Sequence, residues 1–244
     1  GIGREVVFHE FATMRWVRTI NIGRKTGLIA ISPDGRTLAT GGDGDPVNLF
    51  DIATQERART LNLEFNGFDE MKFSADGTRL FYRRRRPGTL YCADATDGRT
   101  IWKYDAPLAQ SAVDPLGRYV AIHHMDALQT VNLIDVKTGK PVRTLEPGND
   151  FLWQLAFSDD GSFLAGGDFQ GYASIWDLQS GQLRSRVRAG GGRLTSLAFT
   201  RQNHLITLCN ETQNKTDETQ KRLRLWIVAE GTEIDSRLGV PTDA

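Results

Sequence analysis

Cysteine is almost missing from this chain of 244 residues: Cys92 and Cys209 are all there is, and no CxxC pair occurs. Two thiols cannot build the disulfide framework of a small secreted domain, and without paired spacing there is no thiolate zinc site. Long apolar runs are missing too. No stretch approaches the length that would carry a helix across a bilayer, and the opening "GIGREVVFHEF" has no apolar core of a signal peptide. Net charge is also absent, since thirty basic residues balance thirty acidic ones. No global field therefore draws the protein to nucleic acid or to an anionic membrane, and charged recognition has to be local. A reducing, cytoplasmic location is the expectation. What is present, 39% hydrophobic residues over this length, suffices for a substantial core.

The positive signal is an internal repeat. The tetrapeptide "SPDG" (Ser32–Gly35) returns as "SADG" (Ser74–Gly77), "DPLG" (Asp114–Gly117), "SDDG" (Ser158–Gly161) and, degraded, "TRQN" (Thr200–Asn203). A short apolar run precedes each, and an aliphatic residue follows at a fixed offset: Leu38, Leu80, Val120, Leu164, Ile206. Next comes a second apolar run closed by "NLFD", "YCAD", "NLID", "SIWD" or "RLWI", and four residues on stands Gln55, Gly98, Gly139, Gly181 or Gly231. Pro, Asp and Gly suit tight turns, and the runs alternate in the strand period of two. Each unit reads as four short antiparallel strands, a to d. One such unit cannot cover both of its faces, and radial stacking of units solves this, which predicts an all-β, β-propeller architecture.

The segment "LAFSDDGSFLAGGDFQGYASIWDLQSGQ" (Leu155–Gln182) resembles a WD40 repeat, with Trp176-Asp177 at the dipeptide that names that family. The resemblance runs through nearly the whole chain. It implies that the b–c and d–a loops form the usual partner-binding face, and that the "SPDG" and "KTGK" turns lie on the other. The family's glycine-histidine pair is absent, Trp persists only at Trp176 and Trp226, and Phe50 replaces it in the unit of Asp43. The His–Ser–Asp–Trp tetrad is therefore incomplete in every unit, and blades held mainly by apolar packing are expected. "TLYCADATDGRTIWKYDAP" (Thr89–Pro107) also resembles a quinoprotein-like propeller repeat, with Trp102 as its docking tryptophan. Standing alone, it supports the propeller class and no quinone cofactor.

The start of the chain matches the middle of a unit. "VVFHEFATMRWVRTI" (Val6–Ile20) aligns without a gap to "VNLFDIATQERARTL" (Val47–Leu61). The expected organisation is strands c and d of an incomplete blade over 1–20, five full four-stranded blades over 21–238, and a tail over 239–244. A half blade leaves sheet edges open, so association with further domains of this or another chain is expected.

Among candidate sites, "RRRR" (Arg83, Arg84, Arg85, Arg86) stands at the end of strand b of the second full blade. Arginine forks suit carboxylates and phosphates, so an anion or an acidic peptide is the partner chemistry it fits. A run of charge that only faces solvent is the alternative. "HHMD" (His123, His124, Asp126) occupies the equivalent place in the third blade; neighbouring histidines on a strand point to opposite faces, which disfavours a shared metal. Phe65 and Phe151 on d–a connections are candidate hot-spot aromatics, whereas Phe68 and Trp153 are expected to pack between blades. Asp168 completes the candidate face from a b–c turn. "NETQNKTDETQKR" (Asn210–Arg222) reads as a long b–c loop, and "LRSRVR" (Leu183–Arg188) as a charged outer strand. "AGGGR" (Ala189–Arg193), with no helix after it, is not a phosphate loop.

No nucleophile–base spacing is present, and His9, His123, His124 and His204 are scattered. The expected function is a non-catalytic protein-interaction scaffold or sensor without cofactor or metal, binding a protein or peptide and neither nucleic acid nor membrane. The alternatives are a structural segment completing a propeller in a larger enzyme or signalling protein, and a quinoprotein-like enzymatic propeller.

Overall fold

In the computed structural model the residues described are 4–10, 12–23, 25–42, 44–64, 67–84, 88–105, 108–124, 130–146, 151–212, 219–228 and 232–239. All of their regular structure is strand. The candidates Phe65, Arg85, Arg86 and Asp126, and also Asp43, lie outside the described residues. The chain divides into two compact units, Gly1–Ala106 and Pro107–Ala244.

The first unit holds a two-stranded sheet, β1 (Glu5–His9) with β2 (Trp16–Asn21), and two four-stranded antiparallel sheets. Blade 1 is β3 (Leu28–Ile31), β4 (Thr37–Gly42), β5 (Asp45–Asp51) and β6 (Arg57–Leu61). Blade 2 is β7 (Glu70–Phe73), β8 (Arg79–Arg84), β9 (Thr89–Asp94) and β10 (Thr100–Asp105). The second unit holds three more sheets of the same order. Blade 3 is β11 (Leu108–Val113), β12 (Tyr119–His124), β13 (Val131–Asp135) and β14 (Pro141–Leu145). Blade 4 is β15 (Leu152–Phe157), β16 (Phe163–Asp168), β17 (Tyr172–Asp177) and β18 (Leu183–Arg188). Blade 5 is β19 (Leu194–Phe199), β20 (His204–Thr212), β21 (Thr219–Ile227) and β22 (Thr232–Gly239).

The repeated turns do the same work in each blade. Ser32, Ser74 and Ser158 each donate a hydroxyl to the aspartate two residues on, at 2.6, 2.6 and 2.7 Å. The same hydroxyl oxygens accept the N–H of Thr37, Arg79 and Phe163, which locks the first residue of strand b. In blade 3 the buried Asp114 takes the serine's place and recruits Arg118, whose Nε lies 2.7 Å from Oδ2. The closing glycines Gly35, Gly77, Gly117 and Gly161 all have φ near +65 to +70°, a region that costs other residues a clash at Cβ. Blade 5 fills that position with Asn203 at φ 60°, and its side chain donates to Asp160 of the blade 4 turn at 2.7 Å.

Blade 4 shows how the sheets pack. Leu164 and Trp176 join Leu133, Leu145 and Leu152, whereas Ala165, Ala173 and Ile175 join Leu194, Leu205 and Trp226. Alternate residues of one strand therefore enter two different cores, so strands b and c are buried nearly throughout. An apolar-in, polar-out alternation is replaced by two apolar faces. The outer strands β6 and β14 are exposed except at their last leucine.

Arginines add a polar clasp between successive sheets inside each unit. Arg18, Arg59 and Arg143 occupy one register position, and each donates to a carbonyl in the c–d turn of the next sheet: Ile52, Thr96 and Leu178. The equivalent positions in blades 2 and 4 are Trp102 and Ser185. Apolar packing is thus not the whole bond between blades. Within blade 5, Trp226 Nε1 donates to Thr207 Oγ1 at 2.9 Å, a buried bond that resembles a remnant of the tetrad with threonine in the serine's place. The polar insertion also differs from expectation. β20 and β21 continue through Asn210–Lys221 to Thr212–Thr219, so strand pairing replaces much of the expected loop.

Candidate functional site

The sequence candidates separate into interior and surface residues. Arg83 is 8% exposed; its Nε lies 3.0 Å from Asp69 Oδ1 and 3.4 Å from Glu70 Oε2. It lies in the interior of blade 2, paired with Asp69 just before β7 and with Glu70 at its start. Arg84 is half-buried.

His123 is fully buried, with its ring edge-on to Phe151 at 5.1 Å, and His124 is buried with Nε2 3.0 Å from Asn132 Nδ2. The two rings do point to opposite faces, as strand geometry requires, and both belong to the core. Asp168 is likewise buried. Its Oδ1 accepts the N–H groups of Gln170 and Tyr172, both at 2.8 Å, and Oδ2 lies 3.3 Å from Arg186 Nη2. It shapes the b–c turn of blade 4.

That turn raises Phe169, which is 43% exposed. Phe169 meets Phe151 at 5.7 Å and Trp153 at 5.2 Å between ring centroids. Trp153, expected between blades, is only half-buried. The Arg193 guanidinium lies over both of its neighbours, 4.2 Å from the Trp153 ring and 5.1 Å from Phe169. Of this cluster only Phe151 was a sequence candidate for the surface.

Glycines bring the group together. A Cβ on Gly171 would meet the carbonyl oxygens of Gly190 and Gly192 at 2.5 and 2.6 Å, and one on Gly192 would meet the Asn210 oxygen at 2.4 Å. Only bare backbone lets the "AGGGR" segment lie so close to the blade 4 turn. Cys209 Sγ donates to the Gly192 carbonyl at 2.7 Å, and Asn210 N–H donates to the Arg193 carbonyl at 2.9 Å. Arg193 is therefore placed by a fixed backbone. The legible signal was the pairing of Gly171 after "DFQ" with the glycine run eighteen or so residues later.

The arginines of β18 cover aromatic rings at both ends of blade 4. Arg184 lies over Phe163 at 5.7 Å, and Arg186 and Arg188 lie over Tyr172 at 4.3 and 5.8 Å. They sheath aromatic rings beside the outer edge of blade 4.

Other concavities hold groups already engaged. A crevice of about 600 Å³ in the second unit is lined by Arg118, Arg143, Asp160 and Asp177. Arg118 Nη2 donates to the Gly161 carbonyl at 2.6 Å, and Arg143 to Leu178 and Gln179. Burial works to raise the Asp160 pKa, but the Ser162 N–H, the Asn203 amide and the Ser158 hydroxyl together hold it well below the usual carboxylate range. Burial pushes the Cys92 thiol up to about 12, so it is not a ready nucleophile at neutral pH. Among the described residues no group of three or more His, Cys, Asp or Glu is placed to hold a metal ion.

Comparison with known proteins places these sheets. Residues 139–177 match the family model for the WD domain, G-beta repeat (WD40). Over 173 residues the chain is 24% identical to a periodic tryptophan protein 2 homolog of Dictyostelium discoideum, covering 68% of this chain and 19% of the relative. Over 94 residues it is 32% identical to the WD repeat-containing protein SL1-17 of Schistosoma mansoni, covering 37% of this chain and 31% of the relative. The chain thus spans less than a third of the length of either relative. Among solved structures, Kuenenia stuttgartiensis hydrazine synthase superposes with a TM-score of 0.67 at 15% identity, covering 82% of this chain and 62% of that one. At that identity the likeness concerns the fold alone. Residues 139–177 match the WD40 repeat, and the sheets on either side of them have the strand order of β-propeller blades.

Proposed function

We propose that this chain is a non-catalytic protein-interaction module, and that its recognition surface is the Phe151–Trp153–Phe169 cluster with Arg193. One observation carries this reading: the exposed Phe169 on the b–c turn of blade 4 meets the half-buried Phe151 and Trp153 at the start of strand a, with the Arg193 guanidinium over Phe169 and Trp153. Rigid aromatic anchors beside arginine are the residue types that dominate protein interfaces, because they bury much area with few torsions to order. The WD-repeat relatives support the same class. The cytoplasm is the proposed location; Cys92 and Cys209 are both buried and neither forms a disulfide.

A display selection with random peptides on the whole chain tests it. Sequences enriched on the wild type and lost on Phe169→Ala are expected. Enrichment that ignores Phe169 would move the surface elsewhere, and no enrichment at all would remove the reading.

A second reading, a structural segment of a larger propeller, has its own observation. The sheet β1–β2 has two strands where the others have four, and Val6, Phe8 and Ile20 pack on Leu38 and Phe50. Val7 (48%), Trp16 (64%) and Val17 (44%) remain exposed. An apolar hairpin with an open edge suits addition of an antiparallel strand. Sedimentation of the chain should show self-association that Val7→Lys suppresses; a concentration-independent monomer would count against this second role.

A further inference from the structure

We infer that Arg193 is a carboxylate-reading position, and that the partner of the proposed surface is an extended acidic peptide. Such a peptide sets an Asp or Glu side chain against the guanidinium and an adjacent apolar side chain against Phe169. The inference rests on the reading of this cluster as the recognition surface and names what that surface recognises.

Three features of the cluster point to a carboxylate. Stacking on Trp153 and Phe169 occupies the face of the guanidinium and leaves its in-plane donors for a ligand. Among the described residues no carboxylate pairs with Arg193, and its buried Nε has no acceptor. The Nε is enclosed, so a ligand carboxylate meets the terminal amino groups of the fork, where it makes charge-assisted bonds. The neighbouring Arg186 is different: Asp168 already engages it.

The third feature is preorganisation. The Arg193 carbonyl is held by Asn210, and the preceding Gly192 is wedged between the Gly171 turn and Asn210. Little backbone entropy is left to lose on binding. Phe169 beside it is exposed enough to receive an apolar side chain, so the two subsites are neighbours. That spacing suits consecutive or alternate residues of one extended strand.

A peptide fits better than a single-stranded nucleic acid. Sequence-tolerant nucleic-acid binding needs successive stacking platforms along a basic groove. Here Asp168 stands beside Phe169, and the chain carries no net charge.

The test uses end-capped synthetic peptides from the display selection, each remade with Gln for Glu and Asn for Asp, and titrated by fluorescence anisotropy against the whole chain. Blocked ends exclude a terminal carboxylate as the source. The acidic form is expected to bind about tenfold more tightly than its amide, the scale of one partly solvated charge-assisted contact. Arg193→Gln should erase that difference with only a small drop in melting temperature, and Arg193→Lys should keep part of it. Added salt should weaken only the acidic peptides.

Equal affinity for acid and amide forms, with binding still dependent on Phe169, would overturn the carboxylate assignment and leave the recognition surface standing. Loss of Phe169 dependence would overturn both. Preference for a dodecathymidylate over every peptide would replace the peptide with nucleic acid.

Discussion

The arginines of blade 2 and the arginine that follows blade 4 sit in opposite circumstances. Arg83 opens the densest basic run in the chain, yet it is buried and its Nε lies within reach of Asp69 and Glu70. Arg193 ends a run of three glycines, and no ion pair engages it among the described residues. Charge density along a sequence counts what is adjacent in the chain. Availability for a partner depends on what the fold places opposite, and here the fold brings two carboxylates to the first arginine and two aromatic rings to the second.

The sharpest way to break this contrast is to remove each arginine in turn. Arg83→Ala empties a buried site and removes the partner of Asp69 and, beside Lys72, one of the two cations on Glu70, and should cost about 2–3 kcal/mol in urea unfolding. Arg193→Ala should cost no more than about 0.5–1 kcal/mol, the scale of an exposed cation–π contact, while abolishing acid-selective peptide binding. Equal stability losses would erase the distinction between an interior and a ligand-facing arginine.

Next in size is Gly171→Ala. A positive φ of 86° and a carbonyl 2.5 Å from the new methyl act together, so a loss of about 2 kcal/mol is expected. The substitution should also weaken peptide binding, since it pushes the glycine run away from the blade 4 turn. Unchanged affinity would show that Arg193 does not depend on this close approach.

Thr207→Val probes the polar remnant in blade 5. It leaves the buried Trp226 indole N–H without its acceptor, and about 1–2 kcal/mol should be lost; Thr207→Ser should restore most of it. The smallest effect concerns pH. The Asp160 pKa is depressed in the folded state, so its stabilisation is complete above the unfolded carboxylate pKa of about 4 and is lost as pH falls towards the folded value. Asp160→Asn should flatten the acid limb of the stability profile below about pH 4, read as melting temperature against pH. An unchanged limb would assign acid sensitivity to other turns.

Much of the fold was legible because turn chemistry is local. Ser32, Asp34 and Gly35 sit within one turn, and their hydroxyl, carboxylate and positive φ can be inferred from the residues themselves. The same applies to the c–d turns, where Gln55 at φ 66° stands where other blades have glycine. The candidate site was legible only in fragments. Phe151 was in view, but Trp153 was expected inside, Phe169 carried no local signal, and Arg193 was hidden behind glycines that read as a plain connection. Their meeting depends on three segments far apart in sequence, and no local rule sums over such distances.

The amino-acid order alone determined the strands, their turns and the repeat, because hydrogen-bonded turns and strand periodicity are settled within a few residues of chain. Which arginine is neutralised, which aromatic ring stays open and which glycine lets two backbones touch were decided only by tertiary packing. Those outcomes depend on distances between blades, set when apolar faces such as Leu164 with Trp176 and Ala165 with Ile175 find their separate cores.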